Sequence, residues 1–89
     1  MKSVWKFTLE PGHEVQAIKM PEGAVPLTAR EQGKEVCLWA EVDPRAHNVT
    51  RYFEVIGTGW QVPERNRKYL GTSHLEGGAL VFHVFEVTS

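Results

Sequence analysis

The sequence predicts an all-β fold, a small antiparallel β-sandwich or partly open barrel of six or seven strands, and three observations carry that prediction. Residues 79–87 alternate with bulk on both faces, Ala79, Val81, His83, Phe85 and Val87 on one and Leu80, Phe82, Val84 and Glu86 on the other, as expected of a central strand covered from two sides. Turn signals recur roughly every 8–12 residues, the spacing of sandwiches and barrels. No window between breakers holds three turns of helical periodicity.

Each element follows from its own pattern. Residues 4–9 alternate cleanly, with Trp5, Phe7 and Leu9 opposite Lys6 and Thr8, and Pro11-Gly12 ends them as a turn. Residues 14–20 form a second strand of ambiguous facing, closed by Pro21-Glu22-Gly23. In residues 24–32, Pro26 implies an edge position, a bulge or a later start, because proline cannot donate to a ladder. Gln32-Gly33-Lys34 is a connection of hairpin length leading into residues 35–42, which carry bulk on both faces and belong inside a sheet. Residues 49–56 follow the Asp43-Pro44-Arg45 turn and stop at Gly57-Thr58-Gly59. Residues 60–68 are polar and irregular and read as an exposed loop. Residues 69–75 form a short strand, and Gly77-Gly78 turns the chain into the last one. Trp5 and Trp39 occupy alternating apolar positions and are expected in the core.

Eighty-nine residues make one domain, 1–89. With 10 basic and 11 acidic side chains the net charge is -1, which supplies no global attraction to nucleic acid or an anionic membrane. Cys37 is the single cysteine, so an intrachain disulfide is excluded and a reducing cytoplasm is the expected home. The N-terminal residues alternate at once, and neither a signal peptide nor a membrane span is expected.

Five blocks, Trp5-Lys6-Phe7, CLWAEVDP at 37–44, RYFEVIGTG at 51–59, YLGT at 69–72 and GGALVFHVFE at 77–86, together resemble a family of small single-domain proteins of unknown function encoded by phages and prophages. The resemblance runs along essentially the whole chain. It implies an accessory protein acting in the bacterial host cytoplasm, and it brings no catalytic residues.

The residues themselves offer little chemistry. His13, His47, His74 and His83 show no ligand-like spacing, so neither a metal nor a cofactor is expected. Cys37 has no local cation or helix N-terminus to activate it and reads as a small apolar group. His83 lies mid-strand and reads as a hydrogen-bonded core or interface residue; as a general base it would need Glu54 or Glu86. Gly57-Thr58-Gly59 reads foremost as a bulge or strand end, yet its neighbourhood keeps an anion site open. Trp60 follows at once, Arg65, Arg67 and Lys68 come next, and Arg51 lies just upstream, a set able to stack on a base and hold phosphate. Trp60 either packs back over the sheet or anchors an interface.

The leading expectation is therefore a non-enzymatic protein-binding module, directed at a host protein or at a second copy of itself, with residues 4–9 free for strand addition. The alternative is a binder of a nucleotide-type signal using Arg51, Thr58, Trp60, Arg65 and Arg67. A hydrolase based on His83 comes third, and a nucleic-acid role has the smallest footprint, one loop with three basic residues.

Overall fold

The structure, a computed structural model describing residues 1–88, is all-β. Its strands are β1 (Ser3–Leu9), β2 (Gly12–Pro21), β3 (Val25–Gln32), β4 (Glu35–Val42), β5 (Asn48–Gly57), β6 (Arg67–Leu75) and β7 (Leu80–Val87), with one 3-10 turn at Glu76–Gly78. They form one seven-stranded sheet in the order β1-β4-β3-β6-β7-β5-β2, curled into a half-barrel. Of the two architectures expected, the partly open barrel is the one adopted.

Chain connectivity forces the curl. In that order β2 and β3 are four steps apart, about 19 Å in a flat sheet, yet they are joined by a tight turn in which Ala24 N–H donates to the Pro21 carbonyl at 3.1 Å. The two edges, β1 and β2, are linked only by Glu10 and Pro11, a reach of about 11 Å at most. The Gln16 side chain fastens that link, accepting from Glu10 N–H at 2.8 Å and donating to its carbonyl at 2.5 Å. The sheet must therefore bend far enough to bring the Leu9 end of β1 near the Gly12 end of β2, while the two edges stay unpaired.

The bend makes one face an interior. Leu9 of β1, Val36, Leu38, Ala40 and Val42 of β4, Ala29 of β3, Met20 of β2, Phe53 and Val55 of β5, and Phe82 and Val84 of β7 form a single buried cluster. Register explains the selection: Leu9 pairs with Val36 and Phe7 with Leu38, and Val55 pairs with Val84, so cross-strand partners share the inner face.

Antiparallel pairing holds throughout except between β3 and β6, which meet in parallel at one bridged pair, Ala29 and Gly71. Pro26 sits where β3 slips register against β4, a bulge that tolerates its missing donor. β5 and β6 are both antiparallel to β7 and hence parallel to each other. Residues 58–66 must accordingly travel back along the sheet, a crossover made without a helix.

Three expectations are corrected. Trp5 is not core: it lies toward the open end of edge strand β1 and keeps 39% of its surface exposed. Trp39 is half-buried on the outer face, in register with Lys6 and Thr28. Arg67 and Lys68 belong to β6 rather than to the loop. β7 is central as expected, but only its inner face is packed; Val81, His83, Phe85 and Val87 are half-buried, because side chains of β6 and the crossover, not a second sheet, cover them.

Candidate functional site

The six residues read from the sequence as a site fall in separate places. Arg51 is on the inner face of β5, where its Nε and Nη2 donate to the two Glu86 carboxylate oxygens at 2.6 and 2.8 Å, and its Nη1 to the Ala24 carbonyl at 2.5 Å. The hydrogen bonds to Glu86 raise its pKa above the ordinary guanidinium value. This bidentate clamp ties β5 and β7 to the β2–β3 turn. Lys68, on β6, is in register with the same Glu86 and is exposed.

Arg65 and Arg67 converge instead on Glu54, three residues on from Arg51 and so on the opposite face of β5. Glu54 is buried; Arg67 Nε donates to its Oε2 at 2.5 Å, and Arg65 Nε stands 3.6 Å from its Oε1. Arg67 also donates to the Pro63 carbonyl and places its guanidinium 5.6 Å from the centre of the Phe85 ring. Arg67 thus fixes the crossover on the outer face, with Arg65 held more loosely beside it.

Trp60 packs back. Its ring stacks on His13 with centroids 4.4 Å apart and meets the Phe82 ring edge-on at 5.9 Å. Gly57 makes room for it, since a Cβ there would lie 2.6 Å from the indole. Beneath the crossover lies a cavity of about 190 Å³ lined by His13, Glu54, Ile56, Trp60, Gln61 and Pro63.

Thr58 lies elsewhere again. Its Oγ1 is 2.8 Å from His83 Nε2, while His83 Nδ1 is 3.2 Å from Thr72 Oγ1, which in turn is 2.5 Å from the Tyr69 hydroxyl. Sequence reasoning missed Thr72 and Tyr69 as partners of His83 and considered Glu54 and Glu86, which are held by arginines. Two hydroxyls orient the ring, and among the described residues no carboxylate is paired with it. Among the described residues no three His, Cys, Asp or Glu side chains gather to hold a metal, and Cys37 is buried. Among the described residues no helix is long and apolar enough to cross a membrane.

A different surface stands open. β1 pairs with β4 in unbroken register from Ser3 to Leu9, and its other edge faces solvent. On β1 itself Val4 keeps 54% of its surface exposed, and two strands further in, on β3, Val25 keeps 49% and Leu27 55%. Val4 and Val25 flank Glu41 on the outer face. The other edge, β2, is blunted by a register break between Gly12 and Gln16, a common protection against unwanted pairing.

These features define a small curled-sheet domain with one protected edge and one free edge. The chain belongs to the family described as Domain of unknown function (DUF7352), which matches residues 1–89. No curated protein and no solved structure matches it.

Proposed function

We propose that the chain is a non-enzymatic binding module that takes up an extended segment of another polypeptide by strand addition at β1. The observation that carries this reading is the contrast between the edges: β1 is regular and bordered by exposed Val4 and Trp5, whereas β2 is broken by a bulge. A free edge supplies affinity through main-chain hydrogen bonds, and the apolar side chains beside it supply selectivity. The five-block resemblance supports a setting for this activity, a phage or prophage accessory protein acting on a host protein in the bacterial cytoplasm.

The test is to select peptides from a random display library against the chain and map the best binder by amide chemical shifts. Perturbation centred on β1 and β4 is expected. Binding mapped to residues 58–66, or no selectable peptide, would sink the reading.

A second reading keeps the nucleotide-type ligand. It is favoured by the cavity under Trp60 and by Arg65, whose contact with Glu54 is loose. A nucleotide at a hundred times its dissociation constant would add about 2.7 kcal/mol of stability. A thermal-shift panel that leaves the melting temperature unmoved with every nucleotide removes it.

A further inference from the structure

Resting on the β1-edge reading, we infer that the segment taken up is β1 of a second copy, paired antiparallel about a two-fold axis through Trp5. Such a pair is self-complementary by symmetry, so each choice of central residue fixes every cross-strand neighbour, and the sequence of β1 eliminates most choices. Centring on Lys6 sets two Lys6 ammoniums face to face; centring on Val4 sets Lys2 opposite Lys6. Like charges directly opposite are destabilising. Centring on Thr8 or Phe7 drives Trp5 or Ser3 into Pro11, where the chain is already turning into β2, and shortens the ladder.

Centring on Trp5 has none of these faults. It pairs Ser3 with Phe7 and Val4 with Lys6, and it extends the ladder outward with Lys2 opposite Thr8. The two half-exposed Trp5 rings meet on the inner-face side, and each Val4 is covered by the aliphatic stem of the other copy's Lys6 once that exposed side chain exchanges its hydrogen bond to Gln32 Oε1, 2.6 Å in the single chain, for the new contact. The charges complement each other too. Val4 is in register with Glu41, so Lys6 of the second copy stands on the same face one strand beyond Val4, about 10 Å from Glu41 along the sheet and within reach of two long side chains. The Glu41 carboxylate's own ion pair with Lys2 is loose, at 4.0 Å.

The register has a direct readout, because only a residue on the axis faces itself. Trp5→Cys places two thiols opposite each other, whereas Val4→Cys, at a more exposed position, leaves its two thiols beyond disulfide reach. With oxidised glutathione as oxidant, released as two reduced glutathione molecules for each intermolecular disulfide formed, Trp5→Cys is expected to yield the covalent dimer about tenfold faster than Val4→Cys, with buried Cys37 taking no part. Wild-type chain should sediment as a concentration-dependent dimer, and Trp5→Lys as a monomer with the same circular dichroism. A wild type that stays monomeric at millimolar concentration, or equal cross-linking by the two cysteine variants, overturns the proposal. The peptide mapping then decides separately whether β1 is a binding edge: a peptide still seated on β1 leaves that reading standing with a foreign occupant, and none removes both.

Discussion

Gly71 and Ala29 approach so closely that a Cβ on Gly71 would lie 2.1 Å from the Ala29 carbonyl oxygen and 2.9 Å from its nitrogen. The obstacle is backbone, which cannot swing aside as a side chain can. This contact is the one bridged pair of the parallel seam between β3 and β6, so it joins β1-β4-β3 to the other four strands. Gly71→Ala is expected to spread the seam and cost about 1–3 kcal/mol, read as a lower urea midpoint. An unchanged midpoint would show that the seam carries little of the fold.

Much of the architecture was legible because strand faces repeat every second residue. The alternation at Trp5-Phe7-Leu9 and through residues 79–87 identified strands, and Pro26 signalled an edge, a bulge or a later start, of which the register shift beside it is the bulge. Trp5 misled because alternation reports which face a residue occupies, and the inner face of a curled sheet opens at its end. Partners across the sheet were harder. Thr72 lies opposite His83 within the β6–β7 hairpin, and the Glu76-Gly77-Gly78 turn was a usable signal, since counting outward from it sets that register. Arg51–Glu86 and Arg65/Arg67–Glu54 had no such signal. β5 and β7 are neighbours only because the crossover carries β6 past β7, a topological fact that local pattern does not contain.

Glu54 faces two arginines on the outer face of β5 with only 6% of its side chain exposed. Glu54→Gln keeps the shape but leaves Arg67 without its anion, and a loss of about 2–4 kcal/mol is expected. Arg65→Ala removes a contact at 3.6 Å from a partly exposed side chain and should cost under about 1 kcal/mol. A double-mutant cycle with Arg67→Ala should return most of the coupling to the Arg67–Glu54 pair. Equal coupling for both arginines would contradict the geometry.

Ser73 is fully buried on the inner face of β6, in register with Phe82, and its hydroxyl has no hydrogen-bond partner among the described residues. A buried unsatisfied polar group costs about 1–3 kcal/mol. Ser73→Ala removes the hydroxyl at little loss of volume, so stability should hold or rise by about 1 kcal/mol in urea melts. A marked loss would reveal a hydrogen bond at this hydroxyl and reverse the assignment.

Glu31 ties the same seam electrostatically. Its Oε1 accepts the His74 backbone N–H at 2.8 Å, joining β3 to β6 beside the Ala29–Gly71 bridge. That hydrogen bond, with a smaller contribution from the residue's own N–H, lowers its pKa below the ordinary 4.5. Because the folded chain favours the ionised form, the contribution is fully present above pH 4.5 and is lost as the pH falls through the lowered value. Hydrogen exchange at the His74 amide should therefore become less protected, relative to β5 and β7 amides, when the pH is taken down through the carboxylate range. Glu31→Gln, which keeps an acceptor without the charge, should show weaker protection at neutral pH and no such extra loss on acidification. A His74 amide whose protection tracks that of β7 at every pH would mean that the carboxylate does not hold the seam.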